Sequence, residues 1–193
     1  VNLYKTYLDT VSRANLGIKP IEADLAQIAA IKTIDDVNAL IQATIFKGGT
    51  GLFGTYVSAD ALDSNKNVVY VYGTSTGLGE RDYYLLKDAE TTEIRNKYEK
   101  HVARMLKAVG NSEADATAKA AKVLAFETKI SEAELTRVEL RDDRKTYNPM
   151  PVTKLQSIAS NINWSAYFDK TGLKSIDSVV VSQPKALAKM NEL

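Results

Sequence analysis

The sequence predicts a mainly α fold: a multi-helix domain with one long central helix and a small β-hairpin, with residues 1–193 forming a single helical domain. Three observations carry that expectation. Apolar residues recur every three or four positions along most of the chain. One pair of segments, 52–59 and 68–72, is instead dense in β-branched and aromatic residues, as the arms of a hairpin are. A chain of 193 residues, 45% of them hydrophobic, can also close a core without cross-links.

Taken in order, residues 3–16 and 20–31 carry helical spacing, with Leu25, Ile28 and Ala29 on one face and Pro20 suited to a first turn. Thr33 can cap the next helix, with Asp36 completing a weak capping box. Val37, Leu40, Ile41, Thr44 and Ile45 continue its stripe until Gly48 and Gly49 end it. The polar stretch 60–67 joins the hairpin arms. After Leu85 the pattern returns to helix through Ile94, Tyr98, Val102, Met105, Leu106 and Val109, and Gly110 stops it.

Residues 113–140 read as the longest helix, because Val123, Phe126, Ile130, Ala133, Arg137 and Leu140 advance in steps of three and four. Arg137 on that stripe needs an acidic partner or a route to water. Pro149 and Pro151 then force an extended link. Thr153 starts a short helix, Trp164 sits in a helical turn at 161–170, residues 179–181 form a brief strand, and Pro184 opens the last helix.

Composition narrows the function. Twenty-five basic residues against 24 acidic ones leave a net charge of +1, which disfavours nucleic acid and anionic membrane as partners. The absence of cysteine removes disulfides and thiolate chemistry without fixing the compartment. No apolar run approaches the roughly 20 residues of a membrane helix, and a start at Val1 is expected to be a cut or processed end.

Several motifs dissolve on inspection. The glycines at 49, 51 and 54 match a dinucleotide-binding pattern, but a helix precedes them and a strand follows, the reverse of what a pyrophosphate needs. Asp63, Asn65 and Asn67 begin like a calcium loop, yet Val68 and Thr74 occupy the glycine and glutamate positions. Asn163-Trp164-Ser165 fits a glycosylation pattern, and Trp164 reads as a core anchor. His101, the one histidine, cannot build a two-histidine zinc site or serve as an oriented base, so no catalytic and no metal-binding residue is expected in this segment. Glu127, Glu132, Glu134 and Glu139 could pair as acid and base, but with Lys129 and Arg137 among them they read first as a solvated helix face.

One ordered set of residues is more specific. Gly77, Leu78, Arg81, Asp82, Tyr83, Tyr84 and Leu85 follow the second hairpin arm. Phe126-Glu127-Thr128-Lys129-Ile130 comes next, then Arg141 and Asp142 with Tyr147 and Asn148, then Ile162-Asn163-Trp164 with Tyr167 and Phe168. Their order from about residue 52 to 168 resembles the helical domain of the neprilysin-type zinc metallopeptidases. Gly79 stands where that family usually has proline, and Asp143 replaces a second one.

The resemblance implies a non-catalytic lobe that caps a thermolysin-like catalytic domain, admits oligopeptide substrates and excludes folded proteins. It implies zinc in the parent protein, bound outside residues 1–193, an exported bacterial location, and self-association of the isolated lobe. Gly77, Leu78, Arg81, Asp82, Tyr83, Tyr84, Glu127, Arg141, Asp142, Tyr147 and Asn148 are then architectural. A free-standing helical interaction module with no enzymatic activity is the alternative.

Overall fold

In a computed structural model, which describes residues 2–49, 51–73 and 76–193, the chain divides into two compact units, Val1–Leu40 and Ile41–Leu193. The first unit is helical. Helices α1 (Asn2–Leu8) and α2 (Thr10–Leu16) are separate, where the spacing predicts one helix over 3–16. The break has a local cause: the Asp9 carboxylate accepts from the Ser12 amide at 2.8 Å and caps α2. A 3-10 turn at Lys19–Ile21 leads into α3 (Glu22–Ala29). Helix α4 (Ile34–Thr44) starts at the predicted capping box, in which Thr33 Oγ1 accepts from the Asp36 amide and Asp36 Oδ2 accepts from the Thr33 amide.

The second unit holds the sheet. Strands β1 (Phe53–Ala59) and β2 (Asn67–Gly73) form the expected antiparallel hairpin, with Phe53 opposite Gly73 and Ala59 opposite Asn67. The hairpin is half of a four-stranded sheet of order β1-β2-β4-β3. Strand β4 (Ser178–Val181) runs parallel to β2, and β3 (Asn148–Pro151), the predicted extended link, runs antiparallel to β4. A parallel neighbour needs a long crossover, and here the mostly helical segment 82–170 supplies it.

Helix α5 (Asp82–Leu85) is one turn; α6 (Ala89–Ala108) and α7 (Glu113–Ser131) are the long pair, capped by Asp88 and Ser112. Helix α7 has 19 residues and α6 has 20, so the predicted helix over 113–140 is too long by nine residues. Tertiary partners end it. Arg81 Nε donates to the Ser131 carbonyl at 3.3 Å, and the Leu135 amide donates to Gln183 Oε1 at 2.7 Å. A new 3-10 turn (Glu139–Arg141) is fixed by Glu139 Oε2, which accepts from the Thr136 amide and hydroxyl. Arg137, beyond the helix, lies exposed with its Nε 3.6 Å from Glu80 Oε1.

One-turn α8 (Asp143–Thr146) precedes β3, and α9 (Val152–Ile158), α10 (Trp164–Lys170) and α11 (Pro184–Glu192) complete the unit. Trp164 is fully buried between Phe53, Tyr167 and Phe168, and its Nε1 donates to the Ala159 carbonyl at 3.1 Å. Phe53 thereby ties the hairpin to α10 through rings 4.7 Å and 5.0 Å apart. Trp164→Ala is expected to destabilise this unit by about 3–5 kcal/mol, read as a lower urea midpoint at unchanged slope; a loss below about 1 kcal/mol contradicts the packing described.

Candidate functional site

Between β2 and α5, residues 76–79 belong to a polar cluster that also draws on α5, α6 and α7. The Gly79 amide donates to the Thr76 carbonyl at 2.9 Å, closing a β-turn, and Gly79 has φ +80°. Proline at this position could neither adopt that φ nor donate, so the glycine selects a turn of its own.

Glu127 on α7 organises the turn. Its Oε1 accepts from the Gly77 amide at 3.0 Å and from the Tyr98 hydroxyl at 3.1 Å, while its Oε2 accepts from the Tyr84 hydroxyl at 2.9 Å. The Tyr84 oxygen in turn accepts from the Leu78 amide at 2.9 Å. One carboxylate thus joins the loop, α5, α6 and α7. A methyl group on Gly77 would overlap the Tyr98 hydroxyl, so glycine is required by close approach.

Around this centre, Arg81 reaches the end of α7 as described, and Arg95 Nη1 donates to the Tyr83 carbonyl at 2.7 Å. Asp82 opens α5, where a carboxylate suits the positive helix end. Burial pushes the Tyr84 phenol up to about 12, with Glu127 adding to the shift. Burial, then the hydrogen bond to Glu127, raises Tyr98 as well.

The remaining motif residues form a second cluster. Tyr147 donates to Asp60 Oδ1 at 2.7 Å, which pushes its phenol up to about 12, while the Leu62 amide and then Tyr147 hold Asp60 below the usual carboxylate range. Asn148 Nδ2 donates to the Val181 carbonyl at 2.9 Å beside β4. Asp142 caps α8 through the Arg144 amide and pairs with that arginine's side chain; Arg141 is exposed. Gly77, Leu78, Arg81, Asp82, Tyr83, Tyr84 and Glu127 therefore meet, and Arg141, Asp142, Tyr147 and Asn148 lie apart from them.

The solvated-face reading of the four glutamates is corrected. Glu127 is half-buried and takes three donors, and Glu132, Glu134 and Glu139 lie beyond the end of α7. Burial raises the Glu134 carboxyl above its usual range, whereas the Lys145 hydrogen bond, followed by those from Thr136, draws Glu139 down to about 2. Glu134 lines a cleft of about 390 Å3 with Tyr72, Glu80, Arg81, Asp82 and Arg137.

Asp63 Oδ1 accepts from the Asn65 amide in the hairpin turn, and Asn163 caps α10. Thr50, within the glycine run, and Thr74, the twelfth position of the calcium-like loop, lie outside the described residues. Exposed His101 contacts Arg104 at 3.2 Å. Among the described residues no group of three or more His, Cys, Asp or Glu side chains is placed to hold a metal ion, and no helix is long and apolar enough to cross a membrane. Tyr98, Arg95 and Asp60 were not singled out by sequence reasoning. Tyr98 had a signal: a tyrosine on an apolar stripe needs a partner for its hydroxyl.

The sequence model of peptidase family M13 matches residues 1–193. Endothelin-converting enzyme 1 of Cavia porcellus is 33% identical over 118 residues, 61% of this chain and 16% of that protein. Neprilysin-3 of Drosophila melanogaster is 26% identical over 148 residues, 74% of this chain and 19% of that protein. The chain thus spans less than a fifth of these relatives. A zinc metalloprotease of Mycobacterium tuberculosis, solved with an inhibitor, superposes with a TM-score of 0.87 at 27% identity, covering 99% of this chain and 29% of that one. PepO of Lactobacillus rhamnosis shares the fold at a TM-score of 0.78 and 22% identity, covering 95% of this chain and 29% of that one.

Glu127→Ala would leave three donors without their acceptor, and we expect a loss of about 2–4 kcal/mol in chemical denaturation, with Tyr84→Phe and Tyr98→Phe each costing about 1 kcal/mol and coupling to it non-additively. A phenol that ionises later in the folded chain than in the unfolded one stabilises the fold only while it keeps its proton. The contribution of Tyr84 is therefore complete below about pH 10 and lost as pH rises to about 12. Stability measured across that window is expected to fall less steeply in Tyr84→Phe than in the parent sequence; identical slopes contradict the assignment.

Proposed function

Because the chain belongs to peptidase family M13, we propose that it is the non-catalytic helical lobe of a zinc metalloendopeptidase, packing against a thermolysin-like catalytic domain and restricting substrates to oligopeptides. The single observation behind this reading is that Gly77, Arg81, Tyr84 and Glu127 of the ordered motif are engaged in holding the segment together. Glu127 accepts from Gly77, Tyr84 and Tyr98, and Arg81 is bonded to the end of α7. A carboxylate with three donors is poorly suited to activate water, and guanidinium groups tied to carbonyls position chain rather than substrate.

On this reading both units belong to one lobe, zinc and the groups that polarise the peptide bond lie outside residues 1–193, and the parent is exported. The lobe's contribution is access: a wall that leaves room for an extended peptide and none for a folded domain.

The test compares residues 1–193 with the parent polypeptide. The segment alone is expected to bind no stoichiometric zinc and cleave nothing. The parent is expected to cleave an unstructured oligopeptide while leaving the same sequence intact inside a loop of a folded protein. Zinc-dependent cleavage by the segment, or equal cleavage of both substrates by the parent, contradicts the proposal.

A further inference from the structure

Helix α7 ends at Ser131, and the turn that leaves it carries a carboxyl in an unfavourable place. The Ser131 carbonyl takes two donors, Arg81 Nε and the Glu134 amide, each at 3.3 Å, so the chain at Glu134 is folded back over the helix end. That end is the negative pole of a 19-residue helix, which suits Arg81 and disfavours a carboxylate. Ser131 is fully buried, and among the described residues its hydroxyl makes no hydrogen bond of good geometry, with the Glu134 carboxyl the polar group beside it.

The groups around Glu134 sharpen the conflict. In the cleft of about 390 Å3 that it lines, Glu80 and Asp82 bring two further carboxyls, Arg81 and Arg137 bring two guanidinium groups, and Tyr72 of β2 brings a phenol. Gln183, ahead of α11, is the uncharged neighbour. Arg137 is exposed and lies toward Glu80, and Arg81 is committed to the Ser131 carbonyl. Burial raises the Glu134 carboxyl above its usual range against the pull of the Ser131 hydroxyl and the Arg81 charge.

The next residue gives this conflict a mechanical outlet. The Leu135 amide donates to Gln183 Oε1 at 2.7 Å, which ties the exit of α7 to the start of α11. A charged Glu134 that turns out to water pulls on the peptide unit it shares with Leu135.

We propose that Glu134 is an acid-closed latch on the exit of α7: uncharged, its carboxyl stays in the cleft and residues 131–135 hold to Gln183; charged, it leaves for water and that tie loosens. A carboxyl that binds its proton more tightly in the folded chain stabilises the closed turn fully below about pH 4.5, the ordinary glutamate value, and the contribution is lost as pH rises through the higher value of the folded chain. The latch rests on contacts within residues 1–193, so it stands or falls apart from the reading of the parent as a peptidase.

The test is amide exchange and carboxyl-detected nuclear magnetic resonance on isotope-labelled residues 1–193, from about pH 4 to about pH 8. Protection of the Leu135 amide, corrected for the intrinsic pH dependence of exchange, is expected to fall along the same curve as the Glu134 carboxyl resonance, while amides in the middle of α6 keep theirs. Glu134→Gln, uncharged at every pH, should hold Leu135 at its acid-form protection throughout. Glu80→Gln and Asp82→Asn, which remove neighbouring carboxylates, should retain the transition. The carboxyl titration needs no variant, so a Glu134→Gln chain that fails to fold leaves that measurement decisive. Constant protection of Leu135, a Glu134 carboxyl that titrates at or below about pH 4.5, or a transition that persists in Glu134→Gln overturns the proposal.

Discussion

The Glu127 carboxylate is the constraint on which the rest of the second unit depends. It lies on α7, yet its donors come from the loop after β2, from α5 and from α6. Hydrogen bonds to a charged acceptor contribute about 1.5–3 kcal/mol each, and a half-buried carboxylate left without them carries a desolvation cost of similar size. The four residues are therefore mutually dependent. Glycine at 77 is needed because the Tyr98 hydroxyl occupies the space of a side chain, and that hydroxyl is there because Glu127 holds it.

From this centre the constraint spreads along the chain. With Tyr84 anchored, Arg81 is placed to take the Ser131 carbonyl, and α7 stops where that bond forms. The released segment turns back, and the Leu135 amide finds Gln183 ahead of α11. At the far end of the hairpin, Asp60 and Tyr147 fix the tip beside the start of β3. Between these polar ties lies the aromatic packing of Phe53, Trp164, Tyr167 and Phe168, which supplies burial without direction.

Much of this was legible in the sequence, and the failures have physical causes. The capping box of Thr33 and Asp36, the hairpin arms and the glycine and proline stops are local signals, and each produced the expected element. The split at Asp9 was missed because periodicity outweighed a single capping side chain. The overlong helix at 113–140 followed a pattern that tertiary partners interrupt, since nothing near Ser131 announces that a distant arginine will claim its carbonyl. Pairing of β2 with β4 joins residues more than 100 positions apart and has no local signature. The ordered tyrosine and glycine motif contains residues that meet at Glu127, and Glu127 itself was visible only as part of a motif. Its partner Tyr98 came from a helix that carried no motif at all.

The claim that Glu127 locks the motif loop to the scaffold is tested most directly by native-state hydrogen exchange at the Gly77 and Leu78 amides. If the carboxylate and the Tyr84 hydroxyl hold them as described, both amides should exchange only with the cooperative opening of α6 and α7, at the same free energy. Exchange at the rate of an open surface loop, while the amides of α6 and α7 stay protected, would show that the loop moves independently and contradict the account.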